Sequence, residues 1–506
     1  MRLKYNLAQC AIALVLAVLL PARGWSSDFD LVLNNGRVID PDSGLDAIRH
    51  IGITGGAIAE VSERPLMGHR VIDATNLIVA PGFIDLHSHA MTPAGQEYQL
   101  FDGVTTALEL EAGAYPADRV KDSLVSTPLI HFGASVGYLW LRQWYLSGHY
   151  QASLAHQPET SVGRDTAWAS YPPRSVFTQI LSQEQIDDLV KLLEQAFSEG
   201  YGIGLGVPID YLKQGISEEE LHAVFSVAAA YDQVVFIHAR RLPVGDLGGL
   251  DEVIELARDT GASVHFCHIN SNALTAIGPF LQRVSQAQTN GVDISIEAYP
   301  YEAGSTQIGA AAFRGDWQTL YGMTPSDIVW VETGERLTAQ TFHEYQTQAP
   351  NGYIVLFSNT MAAVDLAVLN DQTIVASDAM PDVGPDAKVH PRGRGTFTRS
   401  LHRYVIEQKK LTWSQAIAKM TIEPAMRLQS MAPAFASKGR LTQGSDADVV
   451  VFDPLVVQDQ ATYENPDQRS LGMRFVLVNG QLVVDHGTLV PNASPGLFIQ
   501  SSAPNT

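Results

Sequence analysis

Across residues 81–435 the chain alternates short apolar runs with amphipathic helical stretches, and this alternation constrains the fold more than any other feature. The helix-like "SQEQIDDLVKLLEQAFSEG" leads into "YGIGLGVPID", "SEEELHAVFSVAAAYD" into "QVVFIHARR", and "GLDEVIELARDTG" into "ASVHFCHINSN". Ser217 followed by Glu220 has the spacing of a capping box at a helix start. The apolar runs are rich in Val and Ile and lack polar alternation, as expected of strands covered on both faces in a parallel sheet. Repeated strand-then-helix units of this kind predict an α/β fold of the (β/α)8, TIM-like barrel class.

The two ends differ in texture from the middle. "FDLVLNNGRVIDPDSG" near the start and "FVLVNGQLVVDHGTLV" near the end each carry a strand followed by an Asn-Gly turn, at Asn35-Gly36 and Asn479-Gly480. Residues 28–80 and 436–495 are therefore expected to combine into one small β-sandwich of two sheets packed face to face. Residues 1–26 have the pattern of a cleaved secretory signal. Arg2 and Lys4 form a positive start, Ala8 to Leu20 is mostly apolar, and Gly24 and Ser26 supply small residues. That apolar run is shorter than the roughly 20 residues a membrane span needs. The expected location is periplasmic or secreted, with no membrane attachment after cleavage. Cys10 would leave with the signal, so Cys267 alone remains and no internal disulfide forms.

The formal charge is −21, from 33 basic and 54 acidic residues, and such a chain repels nucleic acid and anionic lipid. The sequence does not speak to oligomeric state.

Active sites of parallel barrels lie at the C-terminal ends of the strands. Read in order, those ends carry His87 and His89, then Glu109 and Glu111, then His238, His268 and Asp378. Residues two apart on a strand share a face, so each of the first two pairs can reach one point. Histidines and carboxylates recurring at successive strand ends predict a metal site. Cys267 is expected to face away from His268 into the core. His131, His222, His265 and His402 show no partner pattern and are read as structural or surface residues.

"PGFIDLHSH", the isolated histidines of "FIHARR" and "HFCHINSN", and "IVASDAMP" resemble the amidohydrolase superfamily. "GVTTALELEAG", "VGYLWLR", "GIGLGVPIDY", "EAYPYEAGST" and "HPRGRGTFTRSLHRYV" resemble its D-aminoacylase (N-acyl-D-amino-acid deacylase) branch, over roughly residues 30–485. The resemblance implies one or two zinc ions, His87, His89 and Asp378 around one and His238 and His268 around the other. A cysteine bridges the ions in many members, but Ala112 lies near that place. Glu111 is the candidate bridge, with Glu109 second. The implied reaction is hydrolysis of an N-acyl amino acid, of D configuration, by metal-activated hydroxide, with Asp378 as general base and then acid. Arg392 is the expected partner of the substrate carboxylate, and Tyr301, Ser305 and His390 are further candidate contacts.

The chain also departs from that branch. Asn270 occupies a place where lysine is common, and Tyr138 one where histidine is common. The Trp- and Tyr-rich stretch 142–175 is an insertion, and the lid after the Gly-Ser-Thr strand looks shortened, which suggests an aromatic-lined site for a bulkier acyl group or side chain. The alternatives are a cyclic-amide or dipeptide hydrolase on the same metal site, and a barrel that binds without turnover.

Overall fold

A computed structural model describes residues 29–502, apart from 124–127, 149–173, 213–214, 382–383 and 385. The signal reading and most of the aromatic-rich insertion therefore lie outside the described residues.

The chain begins with β1 (Phe29–Asp40), β2 (Leu45–Thr54), β3 (Ala57–Ser62), β4 (Gly68–Asp73) and β5 (Ile78–Pro81). Barrel strands follow: β6 (Phe83–Asp85), β7 (Val104–Ala114), β8 (His131–Gly137), β9 (Leu205–Pro208), β10 (Val235–His238), β11 (Val264–Phe266) and β12 (Ile294–Ala298). An excursion forms β13 (Ala303–Gln307), β14 (Ile328–Trp330) and β15 (Tyr353–Phe357) before β16 (Thr373–Val375) returns to the barrel. The chain ends with β17 (Val449–Phe452), β18 (Met473–Val478), β19 (Gln481–Asp485) and β20 (Thr488–Leu489).

Eight strands, in the order β16-β12-β11-β10-β9-β8-β7-β6, pair in parallel. The ring closes beyond the ends of β6 and β16 through a parallel bridge between Ser88 and Ala379, with His89 N donating to Ala379 O at 2.7 Å. At the N-terminal ends of the strands the segment 422–435 plugs the barrel. Leu428, Met431 and Phe435 pack with Ile84, Leu108, Phe236 and Ile374.

The helices form where the sequence predicts them. Gln183–Glu199 is capped by Ser182 in a capping box with Gln185, and it buries Ile186, Leu189, Leu193 and Phe197 against the sheet. Ser217 likewise caps Glu218–Ala230. Glu220 does not complete the expected box, because Arg142 and the hydroxyl of Tyr138 hold its carboxylate in the interior. A buried guanidinium attracts the carboxylate more strongly than one backbone N–H does.

The terminal strands differ in detail from the two-sheet expectation. All nine belong to one hydrogen-bonded sheet, running β20-β19-β18-β17-β5-β1-β2-β3 with β4 on β1. The junction is β5, which pairs β1 on one side and β17 on the other. Leu33, Ile51 and Ile53 from the first half share a core with Val449, Val451 and Leu477 from the second. Behind that junction Asp448 accepts from Lys438 Nζ at 2.6 Å and lies 3.0 Å from His131 Nε2, tying the sheet to the foot of β8.

Candidate metal centre

The predicted strand-end residues converge at one mouth of the barrel. His87 Nε2 and His89 Nε2 lie 3.2 Å apart. Glu111 Oε2 is 3.3 Å from the first and 3.5 Å from the second. Asp378 Oδ1 is 3.5 and 3.6 Å from the same two nitrogens. The other oxygen of Glu111, Oε1, lies 2.7 Å from His238 Nδ1 and 2.8 Å from His268 Nε2, and those two nitrogens are 3.1 Å apart. The Glu111 carboxylate thus stands between two histidine pairs.

Backbone geometry aims these groups. The β7–β8 register shifts between Glu109 and Ala114, and Gly113 takes φ +62° directly after Glu111 and Ala112. A Cβ at Gly206 would meet Glu111 O at 2.3 Å, so that neighbour must be glycine for Glu111 to sit where it does. His268 and Asp378 have φ of 33° and 51°. Non-glycine residues in this left-handed region cost of order 1–3 kcal/mol each and cluster at functional sites. The turn at His268 also explains a difference from expectation. It swings the imidazole back toward the barrel interior, so Cys267 shares that interior instead of facing away, and its thiol lies in a cluster with His87 and Glu297.

Carboxylates behind the histidines set the tautomers. Glu297 Oε1 is 2.5 Å from His87 Nδ1, and Glu109 Oε2 is 2.7 Å from His89 Nδ1. Each Nδ1 therefore donates its proton to a carboxylate, and in the neutral imidazole each Nε2 is left with a lone pair facing inward. Metal-binding histidines are commonly oriented in this way. Burial acts to lower the pKa of His87, but Asp378, Glu297 and Glu111 outweigh it and hold the imidazole well above its usual range. His89 is pushed up to about 10 against burial, chiefly by Glu109. Buried lone pairs and carboxylates crowded this closely require positive charge between them. Among the described residues three groups have donor atoms close enough to hold a cation: the His87–Cys267–Glu297 cluster, and at the mouth His87–His89–Asp378 and His87–Glu111–His268, whose nitrogen and carboxylate oxygen suit zinc.

Glu109, the second candidate bridge, instead orients His89 from behind. Glu297 was not singled out from the sequence, and His265 was read there as a structural or surface residue. Glu297 also takes His265 Nε2 at 3.0 Å, so His265 braces the carboxylate that orients His87. The strand-end rule that found the other residues would have found Glu297, the penultimate residue of β12.

A narrow cleft opens beside the histidines, lined by Asp378, Arg392, Ser305, Tyr299, Tyr211 and Phe313 among others. Its aromatic lining comes from the strand ends and the excursion. The guanidinium of Arg392 is buried over the Tyr299 ring at 4.6 Å, with Nη2 2.8 Å from Asp378 Oδ1. Its Nε and Nη1 have no hydrogen-bond partner among the described residues.

Two of the expected substrate contacts are placed elsewhere. Tyr301 is buried outside the cavity lining, under Arg399 at 4.5 Å and against the His390 ring. Tyr299 holds the cavity position instead, because β12 ends at Ala298 and strand alternation does not carry through Pro300. His390 faces neither cavity nor metal histidines: Nε2 donates to Ala303 O at 2.9 Å, and Nδ1 accepts from Arg392 N at 3.1 Å. It fixes the start of the helix Arg392–Ser400. Ser305 lines the cavity, although its hydroxyl donates to Ile354 O at 2.9 Å. Asn270 donates to Tyr299 O at 3.3 Å.

Residues 244–484 match the model of the amidohydrolase family. The chain is 30% identical over 494 residues to the N-acyl-D-glutamate deacylase of Alcaligenes xylosoxydans xylosoxydans, covering 94% of this chain and 97% of that one. It is 27% identical to the D-aminoacylase of the same organism, over 90% and 94% of the two chains. In fold it is similar to the crystal structure of N-acyl-D-glutamate deacylase from Bordetella bronchiseptica complexed with zinc and a phosphonate inhibitor. The TM-score is 0.74 at 24% identity, over 94% of this chain and 100% of that one. A D-aminoacylase crystal structure also gives 0.74, at 22% identity and over 93% and 99% of the two chains. Barrel, terminal sheet and full-length sequence likeness agree: this chain belongs to the amidohydrolase family, in its N-acyl-D-amino-acid deacylase branch.

Proposed function

We propose that this protein hydrolyses the amide bond of N-acyl amino acids of the D series, using zinc held by His87, His89, Glu111, His238, His268 and Asp378. What carries the reading is the division of one carboxylate, Glu111, between two histidine pairs at the mouth of the barrel. Its relatives are a D-aminoacylase and an N-acyl-D-glutamate deacylase. When bound, zinc polarises a carbonyl and lowers the pKa of coordinated water toward about 7.

The chain's own groups supply the rest. Asp378, beside the histidine nitrogens and open to the cavity, accepts the proton lost by the attacking water and returns it to the leaving amine. Arg392 offers unpartnered donors for the substrate's carboxylate, and Tyr299 supports its guanidinium from behind. The same donors argue for an acyclic carboxylate over a cyclic amide. His390 holds the Arg392 backbone in place. The signal pattern of residues 1–26 supports a periplasmic or secreted site of action.

The test is a panel of N-acyl-D- and N-acyl-L-amino acids with zinc-loaded protein, alongside metal analysis. Turnover confined to the D series, with one or two zinc ions per chain, is expected. Zinc-loaded protein that turns over hydantoins or dipeptides but no N-acyl amino acid would sink the proposal.

A further inference from the structure

The eight-stranded sheet ends in β6 on one side and β16 on the other, and among the described residues no ladder pairing joins these two strands. The metal ligands divide across this join. His87 and His89 follow β6, and Asp378 follows β16. A buried carboxylate reaches both sides. Asp85 is the last residue of β6, and its Oδ1 accepts from His87 N at 3.2 Å and from Ser377 N at 2.9 Å. One oxygen thus ties the backbone of His87 to that of the residue immediately before Asp378.

The other oxygen completes the arrangement. Oδ2 accepts from Ser377 Oγ at 2.5 Å and from Gln99 Nε2 at 3.1 Å. Ser377 Oγ in turn accepts from Ala379 N at 3.0 Å, and Gln99 Nε2 also donates to Ser88 Oγ at 2.8 Å. A buried carboxylate is costly unless its lone pairs are filled. Here three of the four donors that fill them belong to His87 or to Ser377, and Gln99 also holds Ser88, between the two histidines. A displacement of Asp85 therefore shifts His87 and His89 against Asp378, although its hydrogen bonds go to none of their imidazole nitrogens or carboxylate oxygens.

We propose that Asp85 is a positioning residue for the zinc centre, setting the distance between the His87–His89 pair and Asp378, and that it does so as a shared hydrogen-bond acceptor rather than as a charge. This rests on the zinc-centre reading given above. Asparagine preserves such a role. Its Oδ1 still accepts from both backbone N–H groups, and the Ser377 hydroxyl can turn to His87 O at 3.2 Å. Gln99 can reverse its amide, so that Oε1, which has no partner among the described residues, accepts from the new Nδ2. Alanine removes the acceptor and strands two buried N–H groups, one on each side of the join.

The test measures three quantities in native protein, Asp85→Ala, Asp85→Asn and Ser377→Ala: zinc affinity, the visible spectrum after cobalt substitution, and Tm. The cobalt bands report ligand geometry and do not depend on turnover. Asp85→Ala should weaken zinc binding by about tenfold or more, the scale of losing a group behind the ligands, and should change the cobalt spectrum. Asp85→Asn should restore the spectrum and bring affinity to within about threefold of native, the scale of one neutral hydrogen bond. A lower Tm in Asp85→Ala with native zinc affinity and a native cobalt spectrum overturns the proposal, because a purely structural role gives that pattern. An Asp85→Asn variant as impaired as Asp85→Ala overturns it too, since charge would then be what matters. If Asp85→Ala does not fold, Ser377→Ala decides. It removes the hydroxyl between Asp85 and Ala379 N, and should weaken zinc binding by about threefold or more with an altered cobalt spectrum; native values overturn the proposal. Native protein that takes up neither metal defeats the zinc-centre reading and this proposal with it. Zinc uptake without hydrolysis of any N-acyl amino acid defeats the substrate reading alone.

Discussion

Glu297 Oε1 lies 2.5 Å from His87 Nδ1, and through that contact a residue of β12 decides which nitrogen His87 presents to the metal centre. His87 follows the first barrel strand and Glu297 belongs to the seventh, so the contact crosses the barrel interior. His265 holds the other carboxylate oxygen at 3.0 Å.

Glu297→Gln keeps the shape of this brace and removes its charge. Zinc affinity or turnover should fall by about 10–100-fold, the usual effect of losing a group that orients a ligating histidine. Zinc titration followed by kinetics at saturating zinc checks it. Unchanged affinity and turnover would reduce Glu297 to a packing role.

Asp378→Asn should leave the fold intact and lower turnover by at least about 10²-fold, because asparagine can still offer an oxygen but cannot accept a proton. The measurement is kcat in a variant shown by metal analysis to be loaded. Near-normal kcat would remove Asp378 from proton transfer.

Arg392→Met should act mainly on KM, raising it by about 10–100-fold through loss of a charge-assisted hydrogen bond worth about 1.5–3 kcal/mol. A fall in kcat at constant KM would instead assign Arg392 to Asp378, its neighbour at 2.8 Å.

Asp448 gives a prediction about stability. Burial pushes its carboxyl up, but His131 and Lys438 outweigh that and hold it well below the ordinary carboxylate range. A carboxyl depressed in the folded state stabilises above its unfolded pKa of about 4, and that stability is lost as the pH falls further. Asp448→Asn should cost about 1.5–3 kcal/mol at neutral pH, since it leaves the buried Lys438 ammonium with Asp446 alone, at 2.9 Å. The Tm difference from the native protein should stay level from about pH 7 to about pH 4 and narrow below that. A gap that does not change across this range would dissociate Asp448 from acid stability.

The parts of the molecule legible in the sequence are those set by periodicity. Amphipathic stretches such as Gln183–Glu199 announced the helices, and ligands at strand ends announced the mouth of the barrel. What was hidden depends on where the backbone leaves its period. Tyr299 and Tyr301 are equivalent by alternation, yet β12 stops before both and only Tyr299 reaches the cavity. Cys267 and His268 share the interior because His268 turns left-handed, which no local pattern marks. Glu220 matched a cap, but its partner is Arg142, 78 residues earlier in the chain. Hydrogen bonding of all the terminal strands into one sheet depends on β5 meeting β17 across the whole length of the barrel sequence.

The short strands β6 and β16 face each other across the ring's last gap, where Ser377 N donates to Asp85 Oδ1 at 2.9 Å and Ser88 bridges Ala379. His87 and His89 stand on one bank of that seam and Asp378 on the other. A cation gripped by these three would thus fasten the two banks to each other as well as serve the reaction, adding a clasp to a seam that backbone contacts at Ser88 and Ala379 already close.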